Sequence, residues 1–251
     1  MDAAELFRSG KVLARSGKTG EALERFDAAL ERKPDFAAAW RARGAVLGRM
    51  ASERRDQGLY AEALESQERA LELEPGNACA WNDKGVTLRM LGRPDEALAA
   101  FRKASELDPR NADAWKNQGT IFGNMEKPAK ALSAFTKALE VKPGDFGALY
   151  GTALAYMELG MPQSALEPVG KALEAEPGDV AALTLKGSAL FKLMKYEQAL
   201  EALDEATEAG DSRGVAWMLR GFVLCRLGRS DEAEASFGEA RSRGIGVPPC
   251  P

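Results

Sequence analysis

The side chains best suited to catalysis in this sequence are two pairs of neighbouring acids, Asp95-Glu96 and Asp231-Glu232. Paired carboxylates can act as general acid and base. Both pairs follow a glycine-containing break, however, and acidic residues are favoured at the first turn of a helix. The chain has no histidine, which removes Ser-His-Asp and Cys-His activation of a nucleophile. It also has no phosphate-binding loop of the GxxxxGK[ST] type. We therefore predict that the protein is not an enzyme.

Metal and membrane chemistry are also disfavoured. The three cysteines, Cys79, Cys225 and Cys250, are far apart. None of them forms a CxxC pair, and CxxC is the spacing typical of zinc ligands. No apolar run approaches the ~18 residues of a membrane span, and the N-terminus has no basic segment followed by an apolar one. The sequence predicts no metal, no cofactor, no membrane insertion and a cytoplasmic location.

The charge pattern argues against a general nucleic-acid binder. The chain carries 34 Lys and Arg against 38 Asp and Glu, for a net charge of −4 and a pI of about 5.3, whereas such binders are usually basic. Apolar residues make up 45% of the chain, which is enough to bury a substantial core.

A 34-residue period organises the chain. Prolines recur at this spacing, with an earlier copy ahead of them: Pro34, Pro75, Pro109, Pro143 and Pro177. Four tryptophans each stand four residues before a glycine: Trp40, Trp81, Trp115 and Trp217 before Gly44, Gly85, Gly119 and Gly221. An alanine recurs seven times, followed seven residues later by a second one: Ala22, Ala63, Ala97, Ala131, Ala165, Ala199 and Ala233.

This pattern resembles the tetratricopeptide repeat, which reads W-x2-L-G-x2-Y, then A-x3-F, then P. The resemblance implies an all-α fold in which antiparallel helix pairs stack into a right-handed superhelical solenoid. Apolar residues at helical spacing on both sides of Gly92-Arg93-Pro94 predict one such pair. We assign seven repeats that form a single domain over residues 1–247: 3–36, 37–77, 78–111, 112–145, 146–179, 180–213 and 214–247.

Two stretches depart from the repeat. Repeat 2 has seven extra residues near 50–58, which is close to two helical turns. The extra residues could lengthen both helices without rotating their apolar faces. We expect a solvated protrusion there, with a partner site as the alternative. Repeats 6 and 7 have Asp211 and Ile245 in place of the terminal proline, and a short proline-rich tail follows at 248–251.

The family resemblance also implies which residues face a concave groove, because first helices line the groove in this family. In repeats 1 to 4 these positions are mainly basic or amide-bearing, with Asp83 and Asp113 as the acids: Arg8, Lys11, Arg15, Arg41, Arg49, Asn82, Arg89, Lys116, Asn117, Thr120 and Asn124. In repeats 5 to 7 they are mainly apolar: Tyr150, Leu154, Met157, Leu185, Phe191, Met218, Leu219 and Phe222.

These positions predict an adaptor that binds an extended or helical peptide, or a segment of a protein, in the groove. Acidic groups of the ligand would lie against the basic and polar end, because arginine binds carboxylates in bidentate fashion, and apolar anchors would lie at the other end. The competing interpretation is a solvated basic face balanced by nearby glutamates.

Three other interpretations stay open. The first is self-assembly into a homo-oligomeric scaffold through the apolar end or the end repeat, and the second is that the apolar residues simply fill the inner curve. The remote alternative is an RNA-binding helical repeat. The set of Lys and Asn that makes a carboxylate clamp for chaperone tails is incomplete here.

Overall fold

In the computed structural model, residues 1–247 are described; the predicted tail at 248–251 lies outside them. The described residues form fourteen α-helices and no strand. The helices are α1 Ala3–Arg15, α2 Thr19–Arg32, α3 Ala37–Arg54, α4 Gln57–Leu73, α5 Ala78–Met90, α6 Pro94–Leu107, α7 Ala112–Asn124, α8 Pro128–Val141, α9 Phe146–Glu158, α10 Pro162–Ala175, α11 Val180–Lys192, α12 Tyr196–Glu208, α13 Val215–Arg226 and α14 Ser230–Ser242. The predicted all-α class is confirmed.

The chain divides into two compact units, residues 1–121 and the residues from Phe122 onward. In the first unit, Phe26 and Met50 belong to a buried cluster that Leu59 covers. In the second unit, one cluster centres on Val169 and Ala189, and another on Leu203 and Phe237. Among residues 1–247, no helix combines the length and the apolar composition that a membrane crossing requires.

Sequence-encoded caps define where the first helices begin. Side-chain oxygens of Asn77, Asn111, Asp145 and Asp179 accept hydrogen bonds from the backbone N–H three residues later, at 3.1, 3.0, 3.0 and 2.7 Å. These bonds satisfy N–H groups that have no partner inside the helix. Repeat 7 lacks this residue, and the buried carboxylate of Asp211 instead accepts from the N–H groups of Gly214 and Ala216 at 3.0 and 2.7 Å.

The turns inside the pairs are short, so the paired helices pack side by side. Gly92 ends α5 with a φ of 71°, a left-handed conformation that glycine adopts without steric penalty. Three repeats place other residues in the same conformation: Arg55, Glu126 and Met194, with φ of 54°, 55° and 58°.

Close packing within the pairs explains the recurring glycine and phenylalanine. A Cβ on Gly85 would lie 2.5 Å from the ring of Phe101, and one on Gly221 would lie 2.2 Å from the ring of Phe237. The same relation holds between Gly10 and Phe26 in repeat 1, whereas the ring of Phe135 on α8 lies against Gly151 on α9, the first helix of the next repeat. The rings therefore pack against the bare backbone of a first helix.

Repeat 2 has longer helices than its neighbours. Helix α3 has 18 residues and α4 has 17, whereas α5 and α6 have 13 and 14. Residues 52–58 are exposed, but Met50 and Tyr60 on either side of them are buried. The seven extra residues thus extend both helices past the adjoining repeat.

Candidate functional site

The first helices of repeats 1 to 3 form one face of the first unit, because α3 contacts both α1 and α5. Arg8, Lys11 and Arg15 lie exposed on α1, where the ammonium of Lys11 stands 5.3 Å from the centre of the Phe7 ring. The guanidinium of Arg49 on α3 donates to the carbonyl oxygen of Ala14 at 3.0 Å. Basic side chains of α1 and α3 are thus close together.

Two predicted groove residues already have acidic partners. The Nε of Arg41 donates to Asp83 at 2.8 Å, and the Nζ of Lys116 donates to Asp113 at 2.8 Å. Burial lowers the pKa of Arg41, but the hydrogen bond and the charge of Asp83 outweigh burial, so the pKa is raised. These two cations are therefore less available to an acidic ligand than their residue types alone indicate.

The amides form a contact of their own. The Nδ2 of Asn117 donates to the Oδ1 of Asn82 at 3.1 Å, which joins the first helices of repeats 3 and 4. Both side chains are half-buried. Asn124 ends α7 in the second unit, where it is exposed.

Arg49 and Arg89 line a cavity of about 380 Å³ between α3, α4 and α5. Asp83 lines it as well, already bonded to Arg41. The cavity is also lined by residues that the sequence analysis missed: Ser52, Tyr60, Gln67 and Thr87. One signal could have pointed to them. Gln67 occupies the A-x3-F position, which is phenylalanine in repeats 1, 3, 4 and 7.

The apolar set in the second unit is only partly available for contact. Met157 and Leu185 are buried, with 8% and 9% of their surface exposed. The rings of Phe191 and Phe222 pack on Tyr196 and Phe237 at centroid distances of 5.7 and 5.3 Å. Much of this predicted set therefore contributes to the core.

The remaining members differ in exposure, and three members of the set share a cavity. Leu154 is 38% exposed, and Met218 is half-buried. Tyr150 and Leu185 line a cavity of about 600 Å³ with Thr184, Val215 and Leu219. Burial and the charge of Asp179 raise the pKa of Tyr150, although Arg213 opposes them. The phenol is therefore neutral at physiological pH and can donate a hydrogen bond.

One match to a catalytic pattern lies beside this cavity. Residues 210–214 read Gly-Asp-Ser-Arg-Gly, which fits the GxSxG signature of serine hydrolases. In those enzymes the serine stands on a turn between a strand and a helix, whereas Ser212 lies in a turn between α12 and α13. The sequence contains no histidine that could activate it. Asp211 in this pattern serves as the cap of α13.

Two protein-family profiles match the sequence. The profile of the tetratricopeptide repeat matches residues 7–47, 49–112, 91–122 and 184–248. A profile for anaphase-promoting complex, cyclosome, subunit 3 matches residues 124–206. No curated protein sequence matches the chain.

Several solved structures share the fold. YrrB, described as a TPR protein with an unusual peptide-binding site, is 23% identical with a TM-score of 0.64, over 72% of this chain and 93% of that one. Pseudomonas aeruginosa pilF is 20% identical with a TM-score of 0.72, over 84% and 95%. MamA is 25% identical with a TM-score of 0.58, over 70% and 92%.

The family profile covers most of the chain, and these structures repeat its helix pairs. The glycine and phenylalanine contacts and the caps described above give the profile its physical basis. This chain belongs to the tetratricopeptide repeat family.

Proposed function

We propose that the protein is an adaptor that binds a segment of another protein on the faces formed by its first helices. The tetratricopeptide repeat is a scaffold for protein–protein interaction, and the relative YrrB is described as having a peptide-binding site. On this proposal the chain itself catalyses nothing and needs no cofactor.

The observation that carries the proposal is the state of two arginines in the first unit. Arg49 and Arg89 border one cavity, and within residues 1–247 neither forms an ion pair with an acid, whereas Asp83 is bonded to Arg41. Arginine pairs with carboxylates through two parallel hydrogen bonds. An acidic segment of the partner is therefore the ligand that this face favours.

The second unit would contribute an apolar contact. Leu185, Val215 and Leu219 line its cavity beside the neutral phenol of Tyr150. Apolar pockets with a few polar groups bind apolar side chains and orient them through those groups. We propose that this cavity receives an apolar side chain of the bound segment.

Affinity capture from the native lysate tests the adaptor function. The exposed pair Arg15→Glu and Arg49→Glu should lose a client that the unaltered protein captures, because both changes reverse charge on the proposed face. Arg25→Glu with Arg69→Glu is the matched control, since these arginines lie on the second helices α2 and α4. Capture of the same proteins by both double variants would exclude the basic face as the site.

The apolar contact has its own variant. Val215→Asp places a charge in the cavity of the second unit at a residue that is 38% exposed. Val141→Asp, at a residue that is 36% exposed on α8, is its control. Loss of the client in Val215→Asp alone would assign the second unit to the interaction.

Self-assembly is the competing function, and the cavity lined by Val215 and Leu219 in the end repeat favours it. In light scattering, a molar mass that rises with protein concentration would establish the scaffold instead. Val215→Asp should then return the molar mass to that of one chain. Steep loss of RNA binding with salt would be the signature of the remote alternative. The cytoplasmic location stays a prediction from the sequence.

A further inference from the structure

The cavity between α3, α4 and α5 exists where repeat 2 departs from its family. Ser52 and Tyr60 come from the extended ends of α3 and α4, and both line the cavity. Gly44, Ala45 and Gly48 line it from α3 with side chains of one carbon or none. The extension therefore does more than protrude into solvent, since it forms part of a cavity wall.

Gln67 is the second departure. In repeats 1, 3, 4 and 7 the same position holds a phenylalanine whose ring packs against a glycine of a first helix, which for repeat 4 is Gly151 of the following repeat. Here the glutamine is 2% exposed, and its Nε2 donates to the Oγ1 of Thr87 at 2.9 Å. A polar side chain at a core position is destabilising unless its hydrogen bonds are all formed.

Those hydrogen bonds are not all formed within the chain. Among residues 1–247, the Oε1 of Gln67, the Oη of Tyr60 and the Nε of Arg89 are buried and have no hydrogen-bond partner. Tyr60 is itself only 4% exposed. Buried polar groups in proteins are nearly always paired with protein or ordered water, so three such groups around one cavity are placed to bind a polar ligand.

Their chemistry specifies what the ligand offers. The Nε–H of Arg89 needs an acceptor, the Oε1 of Gln67 needs a donor, and the hydroxyl of Tyr60 can serve as either. The arginines add charge, because Arg49 and Arg89 both border the cavity and its one acid, Asp83, is paired with Arg41. The ligand group should be anionic and carry an N–H beside its acceptor oxygens.

We propose that this cavity binds a carboxylate of a peptide together with the amide N–H next to it. The carboxylate accepts from Arg89 and Tyr60, and the N–H donates to Gln67. A volume of about 380 Å³ accommodates a single residue. The inference builds on the adaptor function, because the carboxylate belongs to the bound segment and is either its C-terminus or an acidic side chain.

The test is an NMR titration of the full chain with N-acetylglycine, which carries both groups. The Nε–H resonance of Arg89, assigned through its loss in Arg89→Lys, should shift and saturate. N-acetylglycinamide lacks the charge and inorganic phosphate lacks the N–H, so each should bind at least about tenfold more weakly. N-acetyl-aspartic acid α-amide presents a side-chain carboxylate, and comparing it with N-acetylglycine identifies the source.

Variants separate a binding role from a structural one. Tyr60→Phe removes a hydroxyl that has no partner among residues 1–247, and Gln67→Met replaces the amide with an apolar group. Each should weaken N-acetylglycine binding by about tenfold. The thermal midpoint should stay equal or rise in Tyr60→Phe, whereas Gln67→Met also loses the bond to Thr87. A merely structural side chain would lower the midpoint. Tyr196→Phe, in the second unit, is the control and should change neither quantity.

Three results would overturn the proposal: no saturable shift with N-acetylglycine, equal binding of phosphate or the neutral amide, or unchanged binding in both Tyr60→Phe and Gln67→Met. Client capture is scored separately. If the unaltered protein captures a client that Arg15→Glu with Arg49→Glu loses, but N-acetylglycine does not bind, the adaptor function stands and the proposed carboxylate site is wrong. If N-acetylglycine binds but no client depends on Arg15 and Arg49, the carboxylate site stands and the adaptor function is wrong.

Discussion

At the scale of single residues, the tryptophans of the repeats connect each pair of helices to the one before. The indole N–H of Trp40, Trp81 and Trp115 donates to the carbonyl of the proline six residues earlier, at 2.8, 2.8 and 3.0 Å. Repeat 6 has Asp211 at this place, and the buried Nε1 of Trp217 has no partner among the described residues. Tryptophan and proline thus act as a linked pair in the repeat.

This difference predicts unequal effects of the same substitution. Trp81→Phe should lower the free energy of unfolding by about 1 kcal/mol more than Trp217→Phe, because only Trp81 loses a hydrogen bond. Urea denaturation of both variants measures the difference. Equal losses would mean that the bond to Pro75 contributes nothing net.

The sequence alone predicted the positions of these tryptophans but not what their N–H groups do. The W and P of the repeat pattern are six residues apart across a helix start, and only the folded backbone brings the indole to the carbonyl. Asp211 illustrates the same limit. Its departure from proline was visible in the sequence, whereas its role as the cap of α13 depends on backbone geometry.

At the scale of helices, the glycines inside helices fall into two classes. Gly85 faces the ring of Phe101, so Gly85→Ala should destabilise the protein by about 1–3 kcal/mol through overpacking. Gly170, inside α10, has no atom within 4 Å of an added Cβ. Gly170→Ala should therefore stabilise by about 0.5–1 kcal/mol. Chemical denaturation of the two variants should give opposite signs.

The turns within the pairs allow a second test. Met194 has a φ of 58° and is 74% exposed, so Met194→Gly relieves left-handed strain without losing packing. We expect a gain of about 0.5–1 kcal/mol. Met161 is 46% exposed in the corresponding turn but has a φ of −112°. Met161→Gly should destabilise, and a gain there too would refute the conformational explanation.

In repeat 2, the lengths of the helices could be predicted from the sequence, whereas the cavity beside them could not. The length of the insertion, close to two turns, predicted longer helices, and α3 and α4 have 18 and 17 residues. The cavity beside them was not predictable. It requires Tyr60 and Gln67 of repeat 2 to meet Arg89 of repeat 3, a contact that no local pattern encodes.

For the molecule as a whole, the absence of histidine shapes the response to pH. Hydrogen bonds from Arg93 and Arg229 lower the pKa of Glu96 and Glu232 below the ordinary 4.5. A carboxyl with a lowered folded pKa stabilises the fold above its unfolded pKa, and the contribution is lost as pH falls through the folded value. Both carboxyls are exposed, so salt should weaken the effect.

The thermal midpoint should accordingly be flat between about pH 5.5 and 7, where the missing histidine would titrate, and fall below pH 4.5. Scanning fluorimetry across pH at low and high salt measures this. Glu96→Gln with Glu232→Gln should make the acid fall shallower. A transition between about pH 6 and 7 would reveal a titrating group other than these two carboxyls.

The extension of repeat 2 has a consequence for how such arrays diversify. Helices α3 and α4 are longer than their neighbours, yet α3 still contacts α2 and α4 still contacts α5, so a helix pair can lengthen and keep its contacts with the adjoining repeats. A binding site for a particular chemical group can then arise in one repeat while the other repeats keep their sequence and packing. Transplanting residues 37–90 into a plain array would carry both the lengthened pair and the helix that completes its cavity.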